Sequence, residues 1–337
     1  MTIELAMIGA GQAARAHAAN LARMEDVKIT AVSDIEHDRA ARLAEDFGAR
    51  TYDQCVNMVE DEEPDGVYIC LPPGAHGSLE IELADMRVPF FVEKPVHTDL
   101  DVAVQVRDMV AEADLTTSAG YQFRYSSAVQ HARDFLSNRQ VSIVQGFYIS
   151  GLPPMGWWRK KHLSGGQLLS EASHVFDLLR YLVGEVETAV AFASSGAMVD
   201  IPEYDIDDAS VCCLEFSDGA VGQVATSCVL KEGGEPRVGL RFDGRGWTVM
   251  LDPDAVRVAE AQERHEESFV GNPTRWMARA DRAFIHALRT GDRSEILSDY
   301  ADAVRTLDVV LAVDRSINER DVESPSLMLI RADHNAE

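Results

Sequence analysis

The sequence is poor in lysine and has no long apolar run. Five lysines occur among 31 basic residues, and 56 acidic residues give the 337-residue chain a formal net charge of −25. Nucleic acid and anionic membranes are poor partners for such a surface. No run of about 20 apolar residues is present, so we expect no membrane span. Because no basic stretch followed by an apolar stretch opens the chain, no secretory signal is predicted, and a cytoplasmic location is expected.

The acidic residues are dispersed rather than blocked. The densest run, Glu60–Glu63, is interpreted as a solvated helix end. Plentiful arginine with scarce lysine indicates either a salt-adapted host or a genome rich in G and C. The sequence leaves both explanations open.

Several catalytic signatures are also missing. The ten histidines include no H-x-x-x-H or H-E-x-x-H pair, so no metal site is predicted. Neither a G-x-S-x-G elbow nor a Walker loop occurs. The five cysteines are odd in number and lack C-x-x-C spacing, which predicts small buried hydrophobes in a reducing compartment.

A glycine-rich turn lies near the start of the sequence. Gly9-x-Gly11-x-x-Ala14 follows the apolar run Ile3–Ile8 and opens a helical pattern. Gly9 permits the tight turn, Gly11 lets a pyrophosphate approach the backbone, and Ala14 keeps the helix close to the sheet. The helix N-terminus attracts the phosphates. This pattern predicts a dinucleotide site; the alternative is a glycine turn in an ordinary α/β domain.

An acidic residue stands at the distance that this site requires. Asp34 ends the second apolar run, Val27–Ser33, about 20 residues beyond the glycines, where a carboxylate accepts both ribose hydroxyls. A carboxylate there repels the 2′-phosphate of NADP, and Ile35 offers no cation in its place. Arg39 is the nearest later cation, so NAD is predicted and NADP is less favoured.

The hydrophobic pattern changes near residue 125. Before it, strands predicted at 3–8, 27–33, 66–71, 89–93 and 115–120 alternate with helices, among them Asp38–Phe47, closed by Gly48, and Asp99–Ala113, capped by Asp99. After it come a helix at 126–138, a strand at 142–150, a helix at 166–183, strands over 187–258, and helices at 274–290 and 294–317. The prediction is an α/β chain with a parallel Rossmann sheet over 1–123, a second domain with a largely antiparallel open sheet over 124–325, and a frayed tail at 326–337.

Two strand ends carry candidate chemistry. Glu93-Lys94-Pro95 ends the fourth strand, where open α/β sheets bind ligands. A buried Lys94 beside a nicotinamide could donate or accept a proton. The alternative is a surface pair of Lys94 with Glu93. His76, in the loop after the third strand, is expected to cap the next helix or to line the cofactor.

A third candidate lies on the helix predicted at 166–183. On a continuous helix Ser170, His174 and Asp177 share one face, and Glu171 is one turn from His174. A carboxylate beside an imidazole orients its tautomer and stabilises its charged form. The alternative is a buried histidine that is hydrogen-bonded within the core.

Together these motifs resemble the glucose–fructose oxidoreductase, inositol dehydrogenase and rhizopine-catabolism (Gfo/Idh/MocA) family. The resemblance spans nearly the whole chain and rests on Gly9–Ala14, Leu71–His76, Glu93–Pro95, Gly120–Tyr125 and Gly165–Asp177. It implies a Rossmann domain followed by an α/β domain whose open sheet forms the contact of a homodimer or homotetramer. It also implies an NAD-dependent dehydrogenase (EC 1.1.1-type) of a secondary alcohol of a sugar, cyclitol or related polyol.

The resemblance maps the family's catalytic lysine to Lys94 and its histidine to His174. The carboxylate that many members carry four residues before the histidine is Ser170 here, and the acid stands one place later, at Glu171. One residue turns a helix by about 100°. Around the helix axis Ser170 lies about 40° from His174 and Glu171 about 60°. Because this difference is small, side-chain length decides between them, and Glu has the longer side chain. We therefore favour Glu171 as the partner of His174.

The implied site residues fall into three sets. The catalytic set is Lys94, His174 and Glu171. The cofactor set is Gly9, Gly11, Gln12, Ala13, Asp34, Leu71, Pro72, His76, Glu93 and Lys94. The substrate set is Lys94, Arg124, Trp158, Arg159, Ser170, His174 and Asp177, with further pocket residues expected at 121–125, 152–166 and 231–236.

Two other functions of the protein, and a structural role for its tryptophan-rich loop, stay open at this point. A relative that oxidises and re-reduces a sugar while it breaks a glycosidic bond would produce no net NADH. A dinucleotide-binding sensor would not need the acid–base pair Lys94 and His174. Trp157, Trp158 and Arg159 suit the C–H faces and hydroxyls of a sugar, or else the tryptophans seal a domain or subunit contact.

Overall fold

The computed structural model describes residues 2–231, 234–261, 265–270 and 276–328, with the backbone alone for 265–267. The chain divides into two compact units. The first comprises Met1–Gln122 and Thr274–Val304, and the second comprises Phe123–Pro273 and Arg305–Glu337. This division differs from the continuous second domain predicted over 124–325, because residues 274–304 pack with the N-terminal part of the chain.

The first unit is built on a parallel sheet. Its strands are β1 (Ile3–Ile8), β2 (Val27–Ser33), β3 (Arg50–Tyr52), β4 (Gly66–Ile69), β5 (Phe90–Val92) and β6 (Thr117–Ala119). Its helices up to residue 122 are α1 (Gln12–Leu21), α2 (His37–Phe47), α3 (Cys55–Glu62), α4 (Ser78–Asp85) and α5 (Leu100–Glu112). The described strands follow the order β3-β2-β1-β4-β5-β6, with every neighbouring pair parallel. The predicted Rossmann sheet is therefore confirmed.

Local sequence explains where these elements begin and end. The Asp99 carboxylate accepts hydrogen bonds from the backbone N–H groups of Asp101 (2.9 Å) and Val102 (3.3 Å), which caps α5 as predicted. Gly48 ends α2 with φ 65°, a left-handed conformation that glycine adopts without strain. The sequence missed β3, because this edge strand has three residues and no apolar run to reveal it.

The second unit contains a mixed sheet. Its strands are β7 (Ile143–Gly151), β8 (Val186–Ser194), β9 (Ala209–Phe216), β10 (Val221–Leu230), β11 (Arg237–Gly244), β12 (Trp247–Asp252), β13 (Ala255–Glu260) and β14 (His265–Val270). The order within the described residues is β14-β13-β12-β11-β7-β10-β9-β8. β7 and β10 are parallel and the other neighbours antiparallel, which confirms a largely antiparallel sheet.

Short helices cover one face of this sheet. They are α6 (Ser127–Leu136), α7 (Lys161–Ser164), α8 (Gly166–Ser170) and α9 (Ser173–Leu182). The prediction of a single helix at 166–183 is wrong, because the helix is interrupted between α8 and α9. The backbone N–H groups of Glu171 and Ala172 both bond to the carbonyl of Gln167, and the helix restarts only at Ser173. The angular comparison of Ser170 with Glu171 therefore does not apply.

The last two helices are α10 (Trp276–Thr290) and α11 (Tyr300–Glu319). α10 belongs to the first unit, where Phe284 lies 5.7 Å from the ring of Tyr68 and a Cβ at Gly66 would come within 2.9 Å of Leu288. α11 begins six residues later than predicted. Among the described helices, none is both long and apolar enough to cross a membrane.

Two smaller expectations also need correction. Residues 326–328, predicted to fray, are held by Asp308, whose carboxylate accepts the N–H groups of Ser326 (2.9 Å) and Leu327 (2.7 Å). The rest of the predicted tail, 329–337, lies outside the described residues. The five cysteines are free thiols, but Cys213 is exposed because its side chain alternates outward on β9.

Candidate active site

The glycine turn joins β1 to α1 in the first unit. Gly9 adopts φ +90°, and a Cβ there would collide with the carbonyl of Cys70. Gly11 caps α1, and a Cβ added to it would meet no protein atom within 4 Å. The chain itself therefore does not require glycine at position 11, whereas a pyrophosphate lying against the helix N-terminus would. Gln12 and Ala13 form the first turn of that helix.

Asp34 lies at the carboxyl end of β2, beside this turn. One carboxylate oxygen accepts the N–H of Ala10 at 2.7 Å, and the other accepts the N–H of Glu36 at 2.8 Å. These two bonds fix the orientation of a half-exposed carboxylate. The second lone pair on each oxygen is left for a ribose hydroxyl, so the residues fit the adenosine ribose of NAD.

The loop after β4 is held by a buried pair of side chains. His76 Nδ1 lies 2.5 Å from Glu80 Oε1, and Glu80 Oε2 accepts the Gly77 N–H at 2.6 Å, which caps α4. Burial raises the pKa of Glu80, but the charge of His76 and the hydrogen bonds from His76 and Gly77 bring it below its usual value. His76 Nε2 also lies 3.2 Å from the carbonyl of Leu71, so it fixes the loop that carries Leu71 and Pro72.

Lys94 lies two residues beyond the end of β5 and is half-buried. Its neighbour Glu93 is 7% exposed, and Glu93 Oε1 lies 2.9 Å from Nε2 of His17. A Cβ at Gly120 would stand 2.8 Å from the Glu93 carboxylate, so glycine is required at the end of β6. Glu93 is thus a buried carboxylate, not a member of the surface pair considered from the sequence.

The imidazole of His17 joins two buried carboxylates. Its Nδ1 lies 2.5 Å from Oδ1 of Asp281 on α10, and Asn20 donates to the other oxygen of Asp281 at 2.9 Å. Burial is the largest single effect and lowers the pKa of His17. The charges and hydrogen bonds of Asp281, and then those of Glu93, together outweigh burial and raise the pKa to about 10. Sequence reasoning missed His17 and Asp281, because 264 positions separate them.

His174 opens α9 in the second unit and is buried at 5% exposure. Its ring stacks on Phe123, with ring centres 4.2 Å apart and planes 21° from parallel. Stacking fixes the plane of the imidazole, which a proton-transfer group needs. Ser170, at the end of α8, is also buried.

Asp177 and Arg124, both predicted to bind substrate, lie in a mutual ion pair. Arg124 Nε and Nη2 donate to the two carboxylate oxygens of Asp177 at 2.8 and 2.6 Å, and Thr306 donates to the same carboxylate at 3.2 Å. Both residues are buried within the second unit. The pair anchors α9, and the substrate role of either residue stays a prediction.

The carboxylate of Glu171 accepts a hydrogen bond from a strand residue. Oε2 receives the hydroxyl of Tyr148, on β7, at 2.6 Å. Burial, and then the charge of Glu171, raises the pKa of Tyr148 above its usual value, so the phenol stays protonated and donates. The Glu171 backbone carbonyl accepts the His174 N–H at 3.3 Å. No sequence signal pointed to Tyr148, which is 23 residues away on another element.

The tryptophan-rich loop packs mainly into the second unit. Trp158 has no exposed surface and lies in a cluster with Ile206 and Cys228, so its ring offers no face to a sugar in this structure. Trp157 packs against the same cluster but is half-buried. Arg159 donates to the carbonyl of Pro202 at 3.2 Å. Of the pocket region expected at 231–236, residues 232 and 233 lie outside the described residues.

Within the part of the chain that the structure describes, no group of three or more His, Cys, Asp or Glu residues is arranged to hold a metal ion.

The comparisons with known proteins identify the family. Residues 3–121 match the model of the Gfo/Idh/MocA oxidoreductase family with an NAD-binding Rossmann fold, and residues 139–244 match the family's C-terminal domain. The chain belongs to the Gfo/Idh/MocA family of NAD-binding oxidoreductases.

Curated relatives and solved structures agree with this assignment. The chain is 28% identical over 232 residues to myo-inositol 2-dehydrogenase of Thermotoga maritima, covering 67% of this chain and 68% of the relative. It is 23% identical over 335 residues to inositol 2-dehydrogenase of Rhizobium meliloti, covering 95% and 98%. Levoglucosan dehydrogenase in complex with NADH shares the fold, with a TM-score of 0.88 at 19% identity over 96% of this chain and 99% of that one.

Proposed function

We propose that the protein is an NAD(H)-dependent dehydrogenase that transfers a hydride between the nicotinamide and a secondary alcohol of a sugar, cyclitol or related polyol. The observation that carries the proposal is the position of Lys94. It follows β5 at the ligand-binding edge of the Rossmann sheet, next to a Glu93 that is anchored on His17. The inositol dehydrogenases of Thermotoga maritima and Rhizobium meliloti support this substrate class.

The cofactor, when bound, supplies the hydride acceptor. Gly9 and Gly11 would hold its pyrophosphate, and Asp34 would hold its adenosine ribose. Either His174, with its ring plane fixed by Phe123, or Lys94 takes the proton of the substrate hydroxyl. In the reverse direction Lys94 polarises the carbonyl as negative charge develops on its oxygen.

A spectrophotometric panel tests the function. The purified protein is incubated with NAD and with myo-inositol, scyllo-inositol, D-glucose or levoglucosan, and absorbance at 340 nm is followed. We expect NADH to form with at least one of these compounds. A protein that binds NADH but oxidises no polyol would be a sensor, and one that cleaves a glycoside without net NADH would be the internal-redox enzyme.

The second unit supports a proposal about assembly. The sheet face that alternates with the buried residues exposes large apolar side chains on four adjacent strands: Ile143, Phe192, Val211 and Val221. We infer that this face forms a homodimer or homotetramer, since exposed apolar patches of this kind mark interaction surfaces. Sedimentation velocity checks it: replacing Val211 with Asp should shift the protein towards the monomer.

A further inference from the structure

We propose that the Tyr148–Glu171 pair makes the enzyme selective for uncharged polyols and excludes substrates that carry a phosphate or carboxylate near the reacting carbon. The inference rests on the dehydrogenase function proposed above. It concerns the second unit alone, and it assigns Glu171 to substrate recognition and Tyr148 to the positioning of Glu171.

The backbone places Glu171 next to His174. Glu171 stands at the break between α8 and α9, and its carbonyl accepts the N–H of His174 at 3.3 Å. Had α8 and α9 formed one helix, the side chain would point one helical step away from Ser170. The break frees it from that constraint, and Tyr148 then sets its direction through the 2.6 Å hydrogen bond.

The bond to Tyr148 orients the carboxylate without cancelling its charge. A phenol is a neutral donor, and its hydrogen bond occupies one lone pair of Oε2. Within the described residues, no hydrogen bond reaches Oε1 of this half-buried side chain. An oriented carboxylate with a free oxygen is a strong acceptor for a substrate hydroxyl.

Four cations of the second unit have partners other than Glu171. Lys160 pairs with Glu203 at 2.9 Å, and Lys161 pairs with Asp314 at 3.0 Å. Arg124 pairs with Asp177, and Arg159 donates to a backbone carbonyl. Among the described residues no cation forms an ion pair with Glu171, so its carboxylate keeps its negative charge, and an anionic substituent brought against it would be repelled.

Matched substrates with and without a charge test the inference. The kcat/KM of the wild-type enzyme is measured for D-glucose against D-glucose 6-phosphate and D-glucuronate, and for myo-inositol against myo-inositol 1-phosphate. For each neutral compound that is oxidised, we expect the anionic partner to be poorer by about tenfold or more.

Three variants separate charge from orientation. Glu171→Gln keeps an acceptor oxygen but removes the charge. It should therefore reduce the ratio of kcat/KM for the neutral substrate to kcat/KM for the anionic substrate by about tenfold, mostly through a lower KM for the anionic substrate. Tyr148→Phe keeps the charge, so it should preserve the ratio while raising KM for the neutral polyol by about three- to tenfold. Glu187→Gln removes an exposed carboxylate on β8 and should leave both quantities unchanged. NADH binding by fluorescence reports whether each variant is folded.

The outcomes distinguish the two proposals. If no neutral polyol in the wider panel is oxidised, the dehydrogenase function fails, and this inference fails with it. If neutral polyols are oxidised but their anionic partners react equally well, only the charge inference is overturned, and the wild-type enzyme alone decides this. A ratio that Tyr148→Phe and Glu171→Gln change equally would assign the pair a merely structural role.

Discussion

Glu93 in the first unit and Glu171 in the second unit differ in how their surroundings meet the carboxylate charge. In the first unit Glu93 and Asp281 are both buried, and each is hydrogen-bonded to one ring nitrogen of His17. In the second unit Glu171 is half-buried, and a neutral phenol holds it. His17 therefore compensates the charges of Glu93 and Asp281 within the fold, whereas the hydrogen bond from Tyr148 leaves the charge of Glu171 in place. Under the proposed function, the charge of Glu171 is the one that a substrate would meet.

The largest effect is expected at Lys94, the cation next to the compensated network. Lys94→Ala should lower kcat by about 10²- to 10⁴-fold, the range typical of a general acid–base group, while NADH binding stays nearly intact. Steady-state kinetics and NADH fluorescence measure the two quantities. Lys28→Ala, at an exposed position on β2, is the matched control. A loss under about tenfold would make Lys94 structural and would weaken the contrast between the units.

The hydrogen-bonded network of His17, Glu93 and Asp281 is expected to contribute several kcal/mol to the free energy of unfolding. His17→Leu leaves two carboxylates buried without their partner, which should lower the free energy of unfolding by about 3–5 kcal/mol. Chemical denaturation measures it. His37→Leu, which removes the exposed pair with Asp53, should change stability little. Equal effects of the two changes would show that the buried network is not a stabilising element.

The pH dependence of stability tests the contribution of His17 to this network. The pKa of His17 is raised to about 10 in the folded protein, above the ordinary value of 6.5. The folded state therefore holds a proton that the unfolded state releases, and this contribution is complete below about pH 6.5 and declines as the pH rises towards 10. Denaturation at pH 6, 8 and 10 should show a fall in unfolding free energy that His17→Leu abolishes. A wild-type curve parallel to that of the variant would contradict the assignment.

A smaller effect is expected at Asp34, the half-exposed carboxylate that follows β2. The kcat/KM for NAD should exceed that for NADP by about tenfold or more, because the 2′-phosphate would be brought against a like charge. Asp34→Asn should reduce the preference, and Asp38→Asn, in the first turn of α2, should not. Equal use of both cofactors by the wild-type enzyme would defeat the prediction.

Elements with strong local signals were predictable from the sequence. The apolar runs of β1 and β2, the Asp99 cap and the glycine turn at Gly9 each depend on neighbouring residues, and the structure reproduces them. The break between α8 and α9 was not predictable, since Gly166–Leu182 keeps a helical pattern throughout.

Long-range partners lay beyond sequence reasoning. The pattern pointed to His174 and Glu171 but could not reveal Phe123 or Tyr148, which approach from other elements. The same holds for Asp281, which the sequence places in the wrong domain. Pairings of this kind depend on how the sheets and helices pack, and no local spacing encodes them.

The return of α10 to the first unit bears on how the protein is made. The ring of Phe284 packs against Tyr68 and Phe91, and Asp281 completes the network of His17. During synthesis these residues leave the ribosome more than 150 positions after the β-strands that they cover. The core of the nucleotide-binding unit therefore cannot be completed until α10 has emerged.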